Sequence, residues 1–461
     1  MDRINIISPS DGSTVATRNV ATDNEINTAL EQSQLAQKNW QSLAVNDRIA
    51  YCQKAMDWFE NNKDVLAQGI SEQMGRPIQY AQGEISGLIE RAQYMMSIAQ
   101  DALADKPAKK VQGFKRFIRP TPLGTCFIIA PWNYPYLTAI NGVITALLAG
   151  NTVLLKHSAQ TLLCAEAFRD AFHASGLPKG VFQILHLSHY QTAELVQAPK
   201  IKFVSFTGSV NGGKAIELAA AGLFKPVALE LGGKDAAYVR EDADVLSAAE
   251  NLADGAFFNS GQSCCGIERI YVHESVYDEF LSAMINTTKQ LKLGPALNSD
   301  TTLGPMVNAK SASFAREQIK QALKHGAINH IDEQEFPLSK VGSCYLAPHI
   351  LSNVNHSMAI MSEESFAPVV GVMKVKNDEE ALTLINDSQY GLTASIWTKN
   401  ESAMQTLANE IETGTVFMNR CDYLDPALAW VGIKDSGRGC ALSYLGFAQV
   451  TRPKSFHIRE V

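Results

Sequence analysis

Cys264 opens the search for chemistry. It stands in Asn259-Ser-Gly-Gln-Ser-Cys-Cys-Gly266, a run of small and polar residues. In such a loop a thiolate can be reached, and a thiolate is a strong nucleophile. A lone cysteine is more often a small buried hydrophobe, and loop context shifts that balance only modestly. Glu230 comes next. Apolar residues run up to it in Ala228-Leu-Glu-Leu-Gly-Gly-Lys234, and two glycines then break the strand. A carboxylate ending a buried strand is costly unless solvated or used. Sites in α/β proteins form at the carboxyl ends of parallel strands. Glu230 therefore suits a general base with a raised pKa. A carboxylate turned to solvent or locked in an ion pair fits the same pattern.

Asn133 lies in Ala130-Pro-Trp-Asn-Tyr-Pro135, between a strand and a helix start. Its amide can donate to a developing oxyanion. A helix cap or Asx-turn is the plainer role. Phe206-Thr-Gly-Ser-Val-Asn-Gly-Gly-Lys214 reads as strand, glycine turn and helix start. That arrangement can seat a phosphate at a helix N-terminus, although G-x-G-x-x-G is absent and a plain turn fits too. Lys156, ending another strand, can reach a ribose or phosphate oxygen or simply face water.

These residues need a scaffold, and the chain is long enough for two or three domains at 461 residues. Hydrophobic residues make up 46% and charged residues 19%, an ordinary globular composition. A net charge of −7 without a basic stripe disfavours nucleic acid or an anionic membrane as partner. No apolar run reaches spanning length, and the first residues lack a signal core. The eight cysteines are scattered, with no C-x-x-C pair and no zinc spacing, so no metal site is expected. A soluble, cytoplasmic protein fits best.

Helical spacing marks 25–40, 47–62 and 81–104, so the first hundred residues read as helices. A basic, turn-rich stretch at 106–122 alternates like a hairpin outside the core. From Thr125, short apolar strands at 126–130, 152–156, 181–185, 202–206 and 227–231 alternate with helices. That is the signature of a parallel sheet covered on both faces. The alternation resumes at 236 and runs to 417 as a second α/β unit, and the tail from 449 reads as an edge strand.

Together the motifs resemble the aldehyde dehydrogenase superfamily. Pro131-Trp-Asn-Tyr-Pro135, Lys156, Phe206-Thr-Gly-Ser209, Glu230-Leu-Gly-Gly-Lys234, Gly261-Gln-Ser-Cys264, Glu364-Ser-Phe366 and Ser436-Gly-Arg-Gly439 occur in that family's order and rough spacing. The resemblance implies a Rossmann-type cofactor domain from 1–103 and 123–232. It implies a catalytic domain at 233–435, and a small β oligomerisation element from 104–122 and 436–461. A homodimer or homotetramer follows by analogy.

It also implies roles. Cys264 would be the nucleophile, with Cys265 a non-catalytic neighbour. Asn133 and the Cys264 backbone N–H would hold the oxyanion, and Glu230 would activate the hydrolytic water. Trp132, Lys156, Ser158, Thr207, Gly208, Ser209, Glu364 and Phe366 would hold NAD or NADP. Trp430 would line the aldehyde tunnel. The product would be a carboxylic acid.

The sequence departs from the pattern in places. The acid common three positions after Lys156 is Ala159 here, which lifts a barrier to a 2′-phosphate and leaves NADP open, with His157 or Ser158 as helpers. The usual P-F-G-G reads Ala429-Trp-Val-Gly432, and G-R-E reads Gly439-Cys-Ala441. The sequence looks closest to bacterial succinate-semialdehyde dehydrogenases. That branch places a carboxylate-holding arginine where Asn141 stands, and a second cation where Ala427 stands. Losing both favours a neutral aldehyde, unless Arg420 substitutes. An acylating, coenzyme A-dependent enzyme is the alternative, although such relatives usually lack a base at position 230. A catalytically silent binding protein is a third reading, disfavoured by retention of Cys264, Glu230, Asn133 and Lys156. A cysteine hydrolase would need a partner histidine, and His273 alone lies near in sequence.

Overall fold

Near-continuous apolar strands need cover on both faces, and the chain builds two such sheets. The computed structural model describes residues 3–460. The first sheet orders its strands Gly437–Arg438, Val227–Glu230, Ile201–Thr207, Thr125–Ala130, Thr152–His157 and Phe182–Ile184. All neighbours are parallel except Gly437–Arg438, which runs antiparallel to Val227–Glu230. Every residue of Thr125–Ala130 and of Thr152–His157 is buried. Each large apolar side chain so buried contributes about 1.5–3 kcal/mol.

The second sheet runs Ile328–Asn329, His349–Ser352, Val369–Val375, Ile267–His273, Asp235–Val239, Thr393–Trp397 and Thr415–Met418. It is parallel apart from its first pair. A third, antiparallel sheet joins Thr451–Arg459, Phe114–Pro122 and Lys106–Pro107. The basic stretch and the tail therefore meet as one β element.

The N-terminal region is not all helical. A hairpin pairs Arg3–Ile7 with Thr14–Asn19 before the first helix, Asp23–Ser42. That helix starts at a capping box formed by Thr22 and Glu25. The Ile78–Ala102 helix buries Ala81, Ile85, Leu88, Ala92, Met95 and Ala99 on one stripe. Glu84 and Arg91 fall on that same buried stripe. It packs against Pro135–Leu148, whose proline sits at the first helical position.

Candidate active site

The carboxyl ends of the first sheet's strands and the amino ends of the second sheet's strands meet around a cavity of about 440 Å³. Cys264, Glu230, Thr207, Asn141 and Trp430 all line it. Cys264 is half-buried at the end of a loop held on every side. Asn259 and Ser260 both adopt left-handed backbone, with φ of 52° and 59°. Such strain persists only where surroundings over-determine it. Here Ser260 Oγ donates to the Gly304 carbonyl at 2.8 Å, and Val307 N–H donates to Gln262 Oε1 at 2.8 Å. Gly261 is required for space, because a Cβ there would run into the Ala367 carbonyl.

Asn133 is buried, and its Nδ2 donates to the Gln262 carbonyl at 3.1 Å. The amide is thus tied to the cysteine loop and keeps a second hydrogen for another acceptor. Cys265 is buried beside Cys264, and its thiol donates to Asp422 Oδ1 at 2.9 Å. The neighbouring Cys264 thiol and burial push the Cys265 pKa well up. Glu230 ends its strand opposite Thr207. Part of its surface faces the cavity, but protein encloses it, and burial raises its pKa to about 7. Arg91 and Thr207 oppose that rise.

On the other side of Glu230 a donor set suited to a dinucleotide assembles. Ser209 Oγ accepts from Gly212 N–H at 3.2 Å and caps the Val210–Ala220 helix. A Cβ on Gly208 would meet the Phe206 ring at 2.7 Å. The free N–H groups of this helix start favour an anionic phosphate. Lys156 is buried at its strand end, and burial lowers its pKa to about 8. Its ammonium bonds no protein acceptor among the described residues, which leaves it for a ligand oxygen. Glu364 accepts from Gly233 N–H at 2.9 Å through Oε1. Burial, then Glu268, raise its pKa to about 7. Trp132 and Phe366 meet edge to face at 5.6 Å, and Phe366 has a φ of 50°. Ser158 caps the short Ala159–Thr161 turn.

The chain matches the aldehyde dehydrogenase family over residues 1–456. It belongs to that family. An aldehyde dehydrogenase of Paenarthrobacter nicotinovorans is 33% identical over 452 residues, covering 97% of this chain and 98% of the relative. Succinate-semialdehyde dehydrogenase [NADP(+)] 1 of Mycobacterium bovis is 30% identical, covering 98% of this chain and 99% of the relative. The structure of succinic semialdehyde dehydrogenase from Streptococcus pyogenes with NADP+ superposes with a TM-score of 0.93 at 28% identity. That match covers 99% of this chain and 100% of the other. This aldehyde dehydrogenase oxidises an aldehyde with NAD or NADP.

Two expectations about helper residues need correction. His157 is fully buried beside Phe168, with ring centroids 6.1 Å apart, so it cannot reach a 2′-phosphate. Burial lowers its pKa to about 3, which keeps it neutral. Arg420 does not enter the dehydrogenase's cavity; it stacks 3.4 Å over the Tyr423 ring. His273 likewise turns elsewhere, to Ser275 Oγ at 2.7 Å, and among the described residues no histidine lines the cavity.

Three charged residues of the dehydrogenase's site escaped the sequence reading. Arg76 pairs with Glu84, and its other nitrogens donate to the Asn133 carbonyl at 2.7 Å and Asn259 Oδ1 at 3.1 Å. One guanidinium thus fastens the oxyanion loop to the cysteine loop. Glu84 also accepts from Tyr136 N–H at 2.7 Å, at the start of the Pro135–Leu148 helix. Arg91 lines the cavity itself. A usable signal existed: Glu84 and Arg91 are seven residues apart, on a helix face otherwise apolar.

Proposed function

We propose that Cys264 is the nucleophile, Asn133 the oxyanion donor and Glu230 the base that drives hydrolysis. The observation that carries this is the convergence of Cys264 and Glu230 on one cavity, with Asn133 bonded to the loop that holds the thiol. The Cys264 thiolate adds to the aldehyde carbon and makes a thiohemiacetal. Its oxyanion is held by the free hydrogen of the Asn133 amide and the Cys264 backbone N–H. The nicotinamide, when bound, supplies the hydride acceptor. Loss of the carbonyl-carbon hydride leaves a thioester on Cys264. Glu230 then takes a proton from water, the oxygen adds to the thioester carbon, and the C–S bond breaks to release the acid.

Lys156 and Glu364 would hold ribose hydroxyls, with Ser158 beside them. Thr207, Gly208 and Ser209 would face the pyrophosphate and nicotinamide, and Trp132 and Phe366 would pack near the cofactor. Trp430 and Asn141 would shape the aldehyde end. Residues 1–103, of which the first two lie outside the described residues, and 123–232 would form the cofactor domain and 233–435 the catalytic domain. The three-stranded sheet would join subunits of a homodimer or homotetramer.

The test is absorbance at about 340 nm with a panel of aldehydes and each cofactor, on wild type and Cys264→Ala. Short semialdehydes head the panel, because two relatives are named for succinate semialdehyde. Wild type should reduce cofactor, and the variant should fall to background. Undiminished turnover in the variant would remove Cys264 from the reaction.

A further inference from the structure

We propose that Arg91 selects the aldehyde by binding a carboxylate at the end remote from the reacting carbonyl. This rests on the reading of Cys264 as nucleophile. Arg91 lies on the buried stripe of the Ile78–Ala102 helix and is 8% exposed. It lines the same cavity as Cys264 and Trp430. No carboxylate lies within ion-pair distance of it among the described residues. Its Nη1 donates to the Leu137 carbonyl at 2.8 Å and to Asn141 Oδ1 at 3.3 Å. Its Nε and Nη2 make no protein hydrogen bond among the described residues.

A second observation points the same way. Asn141 is 3% exposed, lines the cavity, and its Nδ2 has no partner among the described residues. Buried donors without acceptors are costly, and a buried cation without an anion more so. An arginine with two open nitrogens and an amide donor beside it form a socket for a planar, bidentate acceptor. A carboxylate is that acceptor.

The acids around the cavity do not cancel this charge. Glu84 is committed to Arg76. Asp422 accepts from Ser263 Oγ and Cys265 Sγ, both at 2.9 Å. Burial moves Asp254 and Asp422 toward their neutral forms, and Glu230, although near enough for Arg91 to lower its pKa, makes no ion pair with Arg91 among the described residues. Glu90 sits on the exposed side of the helix. Arg91 supplies from another helix the cation that position 141 lacks, so the ligand class becomes a short aliphatic aldehyde with a terminal carboxylate. That replaces the neutral aldehyde expected from Asn141 and Ala427 alone.

The experiment compares kcat/KM for succinate semialdehyde and for butanal, which match in chain length. Wild type should favour the acid by about 30-fold or more. Arg91→Met should bring the ratio within about threefold of unity, chiefly through KM, and Arg91→Lys should keep part of it. A wild-type ratio near unity overturns the proposal. So does an Arg91→Met variant that loses both activities alike, since a structural role acts on both substrates. Should that variant fail to fold, wild type still decides: butyrate should inhibit butanal oxidation and butyramide should not. Equal inhibition by the two overturns the assignment. Full turnover of succinate semialdehyde by Cys264→Ala would overturn the nucleophile reading and this one with it; oxidation of neither aldehyde, or of neutral aldehydes only, would overturn this one alone.

Discussion

Glu230 must be ionised to act as a base, and its pKa near 7 places that change inside the working range. Burial favours the neutral acid, so the active form grows as pH rises through that value. We expect kcat to climb between about pH 6 and about pH 8 and then level. Glu230→Gln should lower turnover by about 100-fold or more and flatten this rise. A stopped-flow record should then show a burst of reduced cofactor before slow turnover, because the thioester forms but is not released. A variant with the wild-type pH profile would exclude Glu230 as the titrating group. Cys264, Glu230 and Asn133 were legible in the sequence because short contiguous motifs carry them. Arg76 was not: its partners Asn133 and Asn259 lie 57 and 183 residues away. No local pattern records such a meeting.

Elements decide whether those residues converge. Arg76, just before the Ile78–Ala102 helix, is bonded to Glu84 within that helix, to the loop before Pro135–Leu148 and to the loop after Val245–Phe257. Both members of the ion pair are 2% exposed. Removing one side leaves a buried charge unpaired, a loss of about 3–5 kcal/mol. Arg76→Met should therefore lower the urea midpoint markedly, and Cys264 should label more slowly or less completely with a thiol reagent once its loop drifts. A variant unfolding at the wild-type midpoint would show that the pair contributes nothing net. Strand and helix alternation from Thr125 onward was readable, since fully buried strands are short apolar runs. His349–Ser352 and Lys63–Met74 were missed. The first is four residues long, and the second carries its apolar residues among Asp, Gln, Ser and Glu.

At the scale of the molecule, the three-stranded sheet stands apart from both α/β units. Thr451–Arg459 forms its edge, with backbone groups open to another strand. Ile118, Tyr444 and Leu445 beside it are exposed and border an apolar groove with Ile98. Light scattering should give a dimer or tetramer mass, and Tyr444→Glu with Leu445→Glu should shift it toward monomer. A monomeric wild type would remove this face as a subunit contact. How subunits meet was out of reach of the sequence, because an edge strand specifies pairing but not its partner.

Glu364 has one carboxylate oxygen on the Gly233 amide, and the Gly233 backbone lies so close to the Cys264 carbonyl that a Cβ could not stand between them. A ribose held by the other oxygen is therefore two contacts from the nucleophile's own peptide. The cysteine loop should register the cofactor before any aldehyde arrives: in deuterium exchange, the amides of 262–266 slow on addition of NADP, and Glu364→Ala erases the slowing.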